Sequence, residues 1–189
     1  MKRIYRAAAL LILSACLSSC DESEDMPKTV AVVPVYNQSQ DITLPVLMRY
    51  FIEETLKSKG FKVPLRIGEV DSHLRQLGIT EGSPINDSDI RNIGQFLKVE
   101  GILQSTLYES NLYKGVRTLR ASFRLVSVYS GLTLWEKQYK IEQATQEGPL
   151  VKGIVSTHWT LESVRALIKT EAGKFPKKVV RNALKSLDN

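Results

Sequence analysis

The chain has 189 residues, 26 of them Lys or Arg and 20 Asp or Glu, with a formal charge of +6 and only two cysteines. Three of the cations, Lys2, Arg3 and Arg6, stand ahead of an apolar N-terminal stretch, and without them the balance falls to 23 basic against 20 acidic residues. That near-neutral remainder does not demand nucleic acid, whose binders usually gather Lys and Arg on one face with aromatics between them, and no nucleic-acid partner is expected.

Ala7-Ala8-Ala9-Leu10-Leu11-Ile12-Leu13 follows the basic residues and begins an apolar stretch too short to cross a ~30 Å hydrocarbon core as a helix. It predicts a signal peptide over residues 1–19. Leu17-Ser18-Ser19-Cys20 matches the bacterial lipobox at every position; there the cysteine sulfur takes a diacylglycerol and the peptidase cuts before it. Cys20 is the expected lipidation site. Leu13-Ser14-Ala15-Cys16 fits the same pattern, but cutting there leaves an apolar core of only about eight residues, near the short limit for secretion. With Cys20 acylated no intrachain disulfide can form, so stability has to come from the core. The implied group is a covalent N-terminal lipid, and no cofactor or metal is expected.

Residues 20–28 form an acidic tether, Asp21-Glu22-Ser23-Glu24-Asp25 included, with little apolar content to fold around. Residues 29–189 are long enough for one domain that buries most of its surface.

Thr29 to Val35 reads as a strand buried on both faces, with Pro34 at its exit and a turn over Tyr36 to Ser39. Leu47, Phe51, Thr55 and Leu56 recur at helical spacing between Leu44 and Lys59, and Gly60 is the expected stop. Phe61 to Leu65 reads as a second short strand, and Asp71 to Ile79 as a short helix capped by Asp71 and closed by Gly78. Asn86 or Asp87 caps a helix carrying Ile90, Ile93, Phe96 and Leu97. Gly101 to Tyr108, Val116 to Tyr129 and Leu132 to Ile141 then read as three antiparallel strands, the last two joined by a tight turn at Tyr129-Ser130-Gly131. A helical region runs from about Leu161 to Leu187, with Pro176 expected to break or restart it. The order is strand, helix, strand, helix and three antiparallel strands, which predicts an α/β (α+β) fold with a mixed sheet of about five strands and C-terminal helices.

Val30-Ala31-Val32-Val33-Pro34-Val35-Tyr36-Asn37 resembles the opening strand of the curli-secretion lipoprotein CsgG, the TolB N-terminal domain and the peptidoglycan-synthase activator LpoB. Asp71-Ser72-His73-Leu74-Arg75-Gln76-Leu77-Gly78 and the segment from Arg124 to Glu136, with its Ser130-Gly131-x-x-Leu134-Trp135 hairpin, resemble an uncharacterised bacterial lipoprotein family that includes a neisserial vaccine-candidate lipoprotein. The similarity runs from Val30 to Ile141. Relatives tend to carry Asp where this chain has Ser127, and their Gly-rich region after the last strand is here Gly148 to Ile154. The resemblance implies a CsgG-like domain in the cell envelope; with no pair of long amphipathic hairpin insertions, it does not imply a secretion pore.

Catalytic signatures are missing: no Gly-x-Ser-x-Gly elbow, no phosphate loop, no Gly-x-Gly-x-x-Gly and no His-Glu-x-x-His occurs. His73 beside Asp71 could orient as a base, yet a surface histidine near a cap explains it better. Asp87 and Asp89 lack the Gly and final Glu of a calcium loop. Trp135 fits a core or hairpin aromatic better than a sugar platform, and His158 beside Trp159 fits local packing better than a stacking groove. Lys177, Lys178 and Arg181, with Lys174 and Lys185, make a basic helix face that could meet anionic headgroups or an acidic partner, though a solvated face is the commoner outcome. Trp135, His158, Trp159, Lys177, Lys178 and Arg181 are thus the candidate partner or ligand surface.

The expected function is a non-enzymatic accessory or scaffold lipoprotein, held to the membrane by its lipid and docking on an envelope transport, secretion or wall-synthesis complex. The alternative is a periplasmic module that binds a ligand or peptidoglycan fragment. For the membrane, the family points outward, whereas Asp21 after the acylated cysteine is an inner-membrane retention signal in enteric bacteria.

Overall fold

A computed structural model describes residues 25–80, 83–144 and 161–187. The signal peptide, Cys16, Cys20, Asp21, the Gly148 to Ile154 segment, His158 and Trp159 lie outside the described residues.

Three long antiparallel strands dominate the sheet: β3 (Gly101–Tyr113), β4 (Val116–Ser127) and β5 (Thr133–Ala144). On the free side of β3 lie β1 (Val30–Val32) and β2 (Tyr36–Asn37), both parallel to it, with Val30 opposite Gly101 and Tyr36 opposite Thr106. They act as one edge strand interrupted at Pro34, which lacks the N–H that a ladder requires. The result is an open mixed sheet in the order β1-β3-β4-β5.

Alternation along the strands divides the apolar residues between two layers. Val30, Val32 and Val35, with Leu119, Ala121, Phe123 and Leu125, face α1 (Leu44–Ser58), α4 (Leu161–Ile168) and α5 (Glu171–Ala183). Ala31, Val33, Val126 and Val128 face α2 (Ile67–Gln76) and α3 (Asp87–Leu97). The expectation of a first strand buried on both faces therefore holds. Phe123 is fully buried, a burial that contributes about 2–3 kcal/mol.

Four sequence expectations are corrected. Phe61 to Leu65 is no strand, since only Lys62 bridges to Thr29, and Pro64 removes a donor from any longer ladder. The second strand is instead Tyr36–Asn37, where a turn was expected. The helix expected from Asp71 begins at Ile67; Glu69 accepts a hydrogen bond from the Arg66 backbone N–H at 2.6 Å, which leaves Asp71 inside the helix. Pro176 lies within α5 without ending it. The break falls at Lys169 and Thr170, where a Cβ on Gly173 would come within 2.6 Å of the Ile168 carbonyl oxygen, so glycine permits the close packing of α4 on α5.

Candidate functional site

The layer of α2 and α3 covers only part of its sheet face. Beyond it, Thr106, Tyr108, Ser122 and Arg124 look into a groove of about 250 Å³, walled by Ser83, Pro84 and Ile85. Its polar groups hold one another. Arg124 donates from Nε to Gln104 Oε1 at 3.1 Å and from Nη1 to Asp87 Oδ2 at 3.1 Å. Gln104 donates to the Ile85 carbonyl at 3.1 Å. The Arg124 hydrogen bond holds the Asp87 carboxyl below its ordinary range, with the guanidinium charge acting in the same direction and desolvation opposing. Tyr108 is the extra residue where the β3–β4 register shifts; its hydroxyl shares a 3.1 Å hydrogen bond with Ser122 and Arg120 stacks over its ring at 5.2 Å. Among the described residues the groove offers hydrogen-bonding groups but no nucleophile paired with a base.

The basic face of α5 divides. Lys178 turns to β5 and donates to Gln143 Oε1 at 3.2 Å. Lys177 and Arg181 turn the other way, with Lys185 and Lys59, and line a hollow of about 440 Å³ between α1 and α5, floored by Phe51 and bordered by Glu54. Three of the five cations named from the sequence, Lys177, Arg181 and Lys185, thus share one groove, joined by Lys59 from a distant part of the chain. The sequence pattern of α5 alone carried no sign of Lys59.

Trp135 belongs to the fold. Its ring packs half-buried against the apolar layer and its Nε1–H donates to Ser186 Oγ at 3.4 Å, while one turn away Asn182 donates to the Tyr139 hydroxyl at 3.3 Å. These contacts seat the C-terminal helix on β5. His73 donates from Nδ1 to the Glu69 carbonyl at 2.6 Å and meets Phe96 edge-on at 5.5 Å. Asp71, two residues away, pairs with Arg49 instead, so the Asp-x-His spacing builds no dyad. Among the described residues no group of His, Cys, Asp and Glu could hold a metal ion, and no helix is long and apolar enough to cross a membrane.

Asn37, the last residue of the opening-strand pattern, has a structural task. Its Oδ1 accepts from the Ser39 backbone N–H at 3.0 Å and its Nδ2 donates to the Asp41 carbonyl at 2.9 Å. Asp41 in turn accepts the backbone N–H groups of Thr43 and Leu44 at 3.0 and 2.9 Å, which satisfies the open N-terminus of α1.

Among solved structures, lipoprotein GNA1162 from Neisseria meningitidis is 24% identical, with 65% of this chain and 88% of that chain covered at a TM-score of 0.58. A PelC dodecamer from Paraburkholderia phytofirmans is 14% identical over 86% of this chain and 90% of that one, with a TM-score of 0.55. Protein CT253 from Chlamydia trachomatis is 11% identical over 86% and 96%, at 0.53. No curated protein matches the chain. At these identities the structures establish the fold, and the family model settles the membership: matching residues 18–176, it shows that the chain belongs to the GNA1162-like lipoprotein family.

Proposed function

We propose that this protein is an accessory lipoprotein, acylated at Cys20 and held on the periplasmic face of an envelope membrane, where it docks on a transport, secretion or wall-synthesis complex without catalysing a reaction. The observation that carries this reading is the family match, which begins at residue 18 and so takes in the cysteine of Leu17-Ser18-Ser19-Cys20. Residues 1–19 are its signal peptide, 20–28 its tether and 29–189 one CsgG-like domain. Anchoring by two or three acyl chains concentrates a domain around membrane partners, so a modest contact surface suffices. The groove of Lys59, Lys177, Arg181 and Lys185 offers such a surface to an acidic partner.

The test is capture of the acylated protein from solubilised membranes, with a stoichiometric companion expected and reduced by charge reversal at Lys177 and Arg181. A clean monomer in several detergents overturns the reading. The mass of the captured species also gives the oligomeric state. The outer membrane is the proposed location; retention in the inner membrane that Asp21→Ser releases would assign the inner one.

The polar groove over Tyr108, Ser122 and Arg124 favours a second reading, a module that takes a peptidoglycan fragment by hydrogen bonds. Titration with soluble muropeptides should then move the amide resonances of Thr106 and Ser122, and an unchanged spectrum removes it.

A further inference from the structure

The two ends of the sheet differ. Thr29, Gly101, Ser127 and Thr133 share one end, because β1 and β3 start there while β4 finishes and β5 starts beside them. The described chain also enters at that end: Asp25 and Met26 border the same hollow as Ser127 and Tyr129. Glu100 fixes the entry by accepting the backbone N–H groups of Lys28 at 2.6 Å and Thr29 at 3.1 Å. Asp25 lies only five residues after Cys20, a reach of at most about 18 Å.

That end carries a particular chemistry. At the turn after β4, Tyr129 is 88% and Leu132 62% exposed. Around them stand the exposed Lys28, Lys62 and Lys98. Asp25 and Glu100 border the same hollow as Tyr129, and Glu100 is engaged by the backbone. An aromatic and a leucine projecting from a ring of lysines match a phospholipid surface: the apolar pair reaches the acyl boundary while the ammonium groups meet phosphates.

We propose that this end, with Tyr129 and Leu132 inserted and Lys28, Lys62 and Lys98 around them, rests on the phospholipid headgroups of the membrane holding the acyl chains. This rests on acylation at Cys20. The opposite end, with Tyr113 exposed by 69%, lies across a strand of 13 residues, roughly 40 Å at ~3.3 Å per residue. It points into the periplasm.

The test uses the acylated full mature chain reconstituted in vesicles of phosphatidylethanolamine and phosphatidylglycerol. An environment-sensitive fluorophore is attached to Tyr129→Cys in one preparation and to Tyr113→Cys in another; the acylated Cys20 leaves no competing thiol. Brominated acyl chains should lower the emission at position 129 and leave position 113 unchanged, with the effect at 129 growing as phosphatidylglycerol increases. Flotation with the vesicles reports the anchor separately. Equal quenching at both positions, or none at 129 in protein that floats, overturns the docking while the anchor stands. Protein that does not float overturns the anchored reading as well.

Discussion

Arg49 on α1 and Asp71 on α2 meet at 2.6 Å around the edge of β1, although their helices pack on opposite faces of the sheet. The same guanidinium donates from Nε and Nη2 to the Val32 carbonyl at 3.2 and 3.0 Å. One side chain therefore joins both helical layers to the edge strand. Removing a single partner strands a buried charge, which costs about 3–5 kcal/mol. Urea melts of Asp71→Ala and Arg49→Met should each show a loss of that order, and the double variant should recover part of it. Additive losses would mean that the ion pair is not the link.

Asp87 offers a titration. Its folded pKa is depressed by Arg124, so the stability it adds is complete above the unfolded value of about 3.9 and disappears as pH falls through the lower folded value. The carboxylate is largely exposed, which makes the effect small. Carboxyl NMR should place the Asp87 midpoint below that of an ordinary aspartate, and Arg124→Met should return it upward. An unmoved midpoint in the variant would assign the shift to another cause.

Gly94 faces Val128 so closely that an added Cβ would sit 2.8 Å from the valine Cβ. Alanine is the better helix former by about 1 kcal/mol, but the overlap forces α3 off the sheet. Gly94→Ala should therefore destabilise by about 1–3 kcal/mol net, read as a lower midpoint in thermal or urea melting. An increase in stability would show that α3 shifts freely.

Ser105 is buried in β3, and among the described residues its hydroxyl has no hydrogen-bond partner. Ser105→Ala removes that cost and should raise stability by up to about 1–2 kcal/mol, with Ser105→Val as a check on available space. A loss in the alanine variant would reveal a partner for the hydroxyl.

Local pattern was enough for much of the fold. The alternation of Leu119, Ala121, Phe123 and Leu125 with Arg120, Ser122 and Arg124 announced β4, and Gly60 ended α1 where expected, with φ at +92°. Errors came where a local signal served a distant contact. Asp71 has the side chain of a cap, but its partner Arg49 is 22 residues earlier in the chain. Pro176 looked like a break, yet the helix breaks at Lys169 and Thr170, where Gly173 lies close against Ile168.

The candidate surfaces divide in the same way. Lys177 and Arg181 were legible as a basic helix face, whereas Lys59 joins them only because α1 packs beside α5. By itself the sequence determined the family and the order of the long elements, because each is written in adjacent or periodic residues. Only the tertiary structure decided that Trp135 packs against the C-terminal helix, that Arg49 joins two layers, and that lysines from three separate segments share the end where the described chain enters. Those facts depend on which distant side chains the sheet brings together, and no local period encodes them.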